Sequence, residues 1–134
     1  MSKNEAFSTV FDALRAILAK HADRLNITKD TAAGFSAEAR RLRYKGKPVM
    51  FGAVRVGKNY VSFYFMPVYM NAALQKRISP ELKKRMQGKA CFNFKNVDEE
   101  LFRQLAELTA AGLECFEKGK FALPGIEVVP APNI

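Results

Sequence analysis

The chain is organised around the apolar, β-prone residues 48–66: Pro-Val-Met-Phe-Gly-Ala-Val-Arg-Val-Gly-Lys-Asn-Tyr-Val-Ser-Phe-Tyr-Phe-Met. Two β-prone runs flank Gly57-Lys58, the Gly-X pair of a two-residue type II′ hairpin. Gly57 accommodates the positive φ of that turn, which strains a residue with Cβ. This turn pairs Val56 with Asn59, Val54 with Val61, Gly52 with Phe63 and Met50 with Phe65. Those residues make an apolar face. Phe51, Arg55, Tyr60, Ser62 and Tyr64 take the other face.

The flanking segments change period. Phe7, Val10, Phe11, Leu14, Ile17, Leu18 and His21 recur at helical spacing. They predict a helix over 4–24, opened by the capping box Ser2-Lys3-Asn4-Glu5 and closed at Asn26. Residues 28–34 read as a loop. Phe35 to Ala39 alternates weakly, as an edge-like first strand. Pro67 ends the hairpin because it has no N–H to donate. Asn71 caps a short helix through Arg77. Ser79-Pro80-Glu81 starts another, ending at Gln87-Gly88. Residues 89–95 form a short strand. Asp98 caps the last helix, whose stripe is Leu101, Leu105, Leu108, Gly112 and Cys115, flanked by Phe102 and Phe116. Gly119 stops it. Pro124-Gly125, Pro130 and Pro132 mark an extended tail. The pattern therefore predicts one α+β domain over 1–120 and an extended C-terminal tail over 121–134. The domain is a small antiparallel sheet built on a central hairpin, with N- and C-terminal helices packed on it.

Charge adds a direction. The net charge is +9, unevenly spread. Residues 41–95 hold thirteen Lys/Arg and one acid, Glu81, a net +12. Residues 96–134 hold three Lys/Arg and seven acids, a net −4. Such polarity favours an anionic partner, or self-association between unlike surfaces. The alternative is a basic, soluble surface without a specific ligand. No apolar run approaches the ~18 residues of a membrane span, and the first residues lack the apolar core of a signal peptide. The expected location is cytoplasmic, with no membrane partner. Cys91 and Cys115 are too few for a disulfide framework and read as buried small hydrophobes.

Catalytic chemistry has little to stand on. Gly52-Ala-Val-Arg-Val-Gly57-Lys58-Asn59 nearly matches the phosphate loop G-x-x-x-x-G-K-[ST]. That motif must open a helix, and Asn59 replaces its magnesium-binding hydroxyl. His21 is the single imidazole and sits on the helix stripe, its charged form favoured by the helix dipole. Asp98, Glu99 and Glu100 cluster; helix capping explains them, with a weak hard-cation site as the alternative. No catalytic residue, cofactor or metal ligand is assigned. What remains is a cationic and aromatic set: Tyr44, Lys45, Lys47, Arg55, Lys58, Tyr60 and Tyr64 around the hairpin, joined by Lys89 and Lys95 from the later strand. Aromatics beside cations stack on planar groups and pair with phosphates or carboxylates. In the alternative account, Tyr60 and Tyr64 cover a second, partly buried face and the lysines keep the chain soluble.

The runs Lys45-Gly-Lys-Pro-Val-Met-Phe-Gly-Ala-Val-Arg-Val-Gly-Lys-Asn-Tyr-Val-Ser-Phe-Tyr-Phe-Met-Pro-Val-Tyr and Ser79-Pro-Glu-Leu-Lys-Lys-Arg-Met-Gln-Gly-Lys-Ala-Cys-Phe-Asn-Phe-Lys resemble the YdhG-like family of small bacterial domains of unknown function. The likeness runs from about residue 5 to residue 118. It implies an antiparallel sheet with helices packed on it. Some relatives are described as frataxin-like iron chaperones, which use an acidic surface. Iron binding wants grouped oxygen ligands, and the middle of this chain is cationic, so no residue inherits that role. The expected function is a non-enzymatic binding module for an anionic or planar ligand or a protein partner. The alternatives are an iron chaperone, and a weak nucleic-acid binder without the signatures of the common modules. Oligomeric state is not legible.

Overall fold

The computed structural model describes residues 3–121 and 125–129. In chain order these form α1 (Lys3–Ala19), β1 (Leu25–Thr31), β2 (Gly34–Tyr44), β3 (Lys47–Val56), β4 (Val61–Phe65), α2 (Met66–Met70), α3 (Ala72–Gln75), α4 (Pro80–Lys83), β5 (Met86–Gln87), β6 (Cys91–Phe94), α5 (Glu99–Glu117) and β7 (Ile126–Val128). The seven strands make one antiparallel sheet in the order β1-β2-β3-β4-β6-β5, with β7 also on β2. The fold is α+β, and the β3–β4 hairpin lies at the centre of the sheet. The Ser2 cap and Pro124, Pro130 and Pro132 lie outside the described residues.

Apart from Met50 and Phe51, the central hairpin keeps its expected faces but not its expected turn. Gly57 donates its N–H to the Tyr60 carbonyl at 2.8 Å, so the bend centres on Lys58-Asn59. Gly57 is not among the residues with positive φ. Val56 pairs with Val61, Val54 with Phe63 and Gly52 with Phe65. Each partner is two residues beyond the expected one. Side chains alternate with a period of two, so a two-residue slip returns every side chain to its own face. Val54, Val61, Phe63 and Phe65 are accordingly buried. The tight two-residue turn belongs instead to Lys45-Gly46, between Tyr44 and Lys47. Both turn residues have positive φ, 52° and 79°, as a type I′ turn requires.

A bulge corrects the near end of β3. Ala37 faces Gly52 while Glu38 faces Met50, leaving Phe51 as the extra residue. The bulge turns Phe51 inward, where it is 0% exposed, and Met50 outward. Strict alternation places these two residues the other way round.

The first helix is shorter than its periodicity suggests. It ends at Ala19, and a 3-10 turn at Ala22–Arg24 leads into β1. Asn26 and the expected loop over 28–34 fall largely in that strand. β1 escapes a reading by pattern because, at a sheet edge, only Leu25 of its residues is buried. Residues 35–39 therefore lie in an inner strand, β2, between β1 and β3. Asn71, Ser79 and Asp98 cap helices as expected, accepting from the N–H groups of Leu74, Leu82 and Leu101. The helix after Ser79 stops at Lys83, because Met86-Gln87 pairs with β6 as a strand. In the tail, Ile126–Val128 pairs with Leu42–Tyr44, which builds it into the sheet.

α1 and α5 both pack on one face of the sheet. Phe7, Val10, Phe11, Leu14 and Leu18 of α1 meet Phe51, Phe63 and Phe65 beneath Leu105, Leu113 and Phe116 of α5. Phe51 stands edge-on to Phe65 and Phe116, with ring centroids 5.3 and 5.6 Å apart. Gly112 is the close-approach point of α5: a Cβ there would lie 2.4 Å from the Phe65 ring. No described helix covers the opposite face of the sheet.

Candidate functional site

The eight expected ligand residues divide into separate groups. Arg55 and Tyr64 project from the uncovered sheet face, with Lys58 and Tyr60 at the adjoining turn. Tyr44, Lys45 and Lys47 lie at the other end of β3, about 30 Å away along a ten-residue strand. There the Lys45 ammonium sits over the Tyr44 ring at 5.4 Å. Lys95 follows Phe94, which pairs with Val61, so it stays at the turn end. Lys89 lies elsewhere again, in the turn after β5, with its ammonium 5.9 Å from the Tyr69 ring centroid. One shared face for all eight residues does not form.

The uncovered face carries a polar network instead. Ser62 donates to Asn93 Oδ1 at 2.6 Å, and Asn93 Nδ2 donates to Gln87 Oε1 at 3.0 Å. The Cys91 thiol donates weakly to Asn93 Oδ1. Burial pushes the Cys91 thiol up, against hydrogen bonds with Ser62 and Tyr64 and the charge of Arg55. A thiol held protonated is a poor nucleophile. Both cysteines are half-buried and free, a correction to their reading as core residues.

Other sequence candidates also find their place. The Gly52 to Lys58 run is strand and turn and opens no helix. His21 lies beyond α1, and its charged form is disfavoured by burial, then by Arg24 and Lys20. This direction is opposite to the one expected from the helix dipole. Among the described residues, no three His, Cys, Asp or Glu side chains come together as a metal site. No described helix is long and apolar enough to cross a membrane.

A groove of about 900 Å³ lies between α2, α3, α4 and the turn after β5. Lys76, Lys83 and Lys89 line it together with Tyr69, and no carboxylate does. Ile78 and Met86 add apolar surface. Local sequence explains the convergence. Pro67 ends β4 and starts α2, leaving Tyr69 44% exposed. The Asn71 and Ser79 caps break the chain into short helices, so Lys76 and Lys83 reach the groove from different ones. Gly88, at φ 76°, turns the chain to bring Lys89 to the rim. Sequence reasoning names Lys89 but misses Tyr69, Lys76 and Lys83. The available signal is the Lys/Arg density around the two caps.

Such a groove suits an anion attached to a flat or apolar body. The ammonium groups supply charge, the tyrosine a stacking face, and the apolar wall a place for the remainder of the ligand. No family model, curated protein or solved structure matches the chain.

Proposed function

We propose that this chain is a non-enzymatic binding module that holds a small anionic ligand with a planar or apolar body. The ligand sits in the groove beside Tyr69. The observation that carries this reading is the convergence of Lys76, Lys83 and Lys89, from separate elements, with no carboxylate among them. Exposed cations gathered without counter-charge raise the local concentration of anions. Free thiols at Cys91 and Cys115 suit a reducing compartment, so the module works in the cytoplasm. The likeness to the YdhG-like family belongs to the same proposal, and its implied sheet with packed helices is compatible with this architecture. The iron-chaperone reading has no supporting cluster of ligands among the described residues.

The test is a thermal-shift screen of aromatic and aliphatic phosphates and carboxylates, followed by calorimetric titration of whatever stabilises. A ligand at a hundred times its Kd should add about 2.7 kcal/mol of stability. Lys76→Glu with Lys83→Glu should abolish that shift, since both side chains are exposed and the fold does not need them. A shift that survives the double change would place the ligand elsewhere. A screen in which nothing stabilises the protein would overturn the reading.

A further inference from the structure

The uncovered sheet face contains a second cationic feature, far from the groove's lysines in sequence and built by a bulge. In β1 the register slips between Ile27 and Lys29. Ile27 faces Ala37, which is buried on the helix side. Without the slip, Lys29 would follow it to that side. The extra residue, Thr28, sets Lys29 opposite Ser36 on the uncovered side and Asp30 opposite Phe35 on the helix side. Asp30 then meets Arg15 of α1 in a two-pronged ion pair at 2.7 and 3.0 Å. Lys29 has no ion pair among the described residues. Its Cε lies 3.3 Å from where a Cβ on Gly34 would be, so the side chain rests over that glycine. Gly34 is the cross-strand partner of Arg55.

Two cations thus flank one glycine. Neither belongs to any ion pair among the described residues. They line a depression of about 240 Å³ that also receives Ser36, Tyr64 and Met50, the last turned outward by the β3 bulge. Glu38, the acid on this side of β2, lies opposite Met50 and does not line the depression. We infer that this depression is an oxyanion site, separate from the groove, that takes a phosphoryl group between Lys29 and Arg55. The guanidinium and ammonium supply the charge-assisted donors. The Ser36 hydroxyl supplies a further donor for a tetrahedral anion, and the Tyr64 ring forms part of the wall. The volume suits one phosphoryl group with a small substituent. Its source is free phosphate or a phosphate monoester, and the assay separates the two.

The experiment is a titration of the full chain, followed by amide NMR at constant ionic strength against chloride. The probes are inorganic phosphate and phenyl phosphate. Saturable shifts are expected at Gly34, Ser36 and Arg55. Lys29→Met with Arg55→Met should weaken binding about tenfold or more, the loss expected for charged hydrogen bonds. Lys29→Arg should largely restore it. Lys76→Met with Lys83→Met, in the groove, should leave it unchanged. Tighter binding of phenyl phosphate assigns a monoester; equal binding assigns free phosphate. No saturable shift at Gly34 and Ser36 overturns the site. So does a shift that persists in the Lys29/Arg55 variant, or one that vanishes with the groove variant. Arg55→Gln alone, a milder change at an exposed strand position, keeps the test open if the double variant folds poorly.

Discussion

Gly112→Ala sets two well-defined effects against each other. In an exposed helix interior, alanine is favoured over glycine by about 0.8–1 kcal/mol. In α5 the new methyl group would lie 2.4 Å from Phe65 Cζ and 2.9 Å from Pro67 Cβ. Ordinary carbon contacts lie near 3.5–4.0 Å. Neither neighbour yields easily. The Phe65 ring is 0% exposed and held edge-on against Phe51, and Pro67 is a buried ring in the first turn of α2. Overpacking of this kind costs about 1–3 kcal/mol, and two unyielding contacts put it at the upper end. The helix gain offsets roughly 1 kcal/mol, leaving a net loss of about 2 kcal/mol. With an unfolding entropy near 2.1 cal/mol/K per residue, that lowers the Tm by about 7 °C. Urea unfolding should show a lower midpoint with an unchanged slope. The decisive arm is the same change in a Phe65→Leu background. Shortening the ring removes the contact, so Gly112→Ala should there become neutral or stabilising. A variant as stable as the parent, or a loss that persists in the Phe65→Leu background, would show that α5 does not touch the sheet at this point.

Two further outcomes test other parts of the structure. Asp98 Oδ1 accepts from the Leu101 N–H at 3.0 Å, so Asp98→Ala should cost about 0.5–2 kcal/mol and speed hydrogen exchange in the first turn of α5. Asp98→Ser should recover most of that loss. His21 is held below its usual pKa by burial, with Arg24 and Lys20 adding to it and Asp23 and Glu117 opposing. The unfolded chain thus binds a proton that the folded chain resists. Stability should be at its plateau above pH 6.5 and fall as the pH drops from there through the folded pKa. His21→Asn should flatten that step in urea midpoints measured from pH 8 to pH 5, and an unchanged step would assign it to other groups.

Much is legible from local rules. The caps at Asn71, Ser79 and Asp98 are readable because each depends on one side chain and N–H groups within a few residues. The buried face of the central hairpin is readable because alternation survives a displaced turn, as long as the register slips by an even number. β1 is not readable, since an edge strand needs little apolar surface and pairing alone defines it. The exchange of Met50 and Phe51 is equally hidden. A bulge is decided by how β3 lies against β2, where both strands meet α1 and α5.

The amino-acid order alone determined an α+β chain, the helix starts at Asn71, Ser79 and Asp98, and which side of the central hairpin would avoid water. These follow from short-range spacing and from the water-fearing character of individual residues. Tertiary structure decided which cations become neighbours. Lys76, Lys83 and Lys89 meet because of how three short elements pack, and Lys29 joins Arg55 because a bulge turns its strand. Charge reaches across space without regard to chain separation, so its grouping is settled only when the backbone has closed.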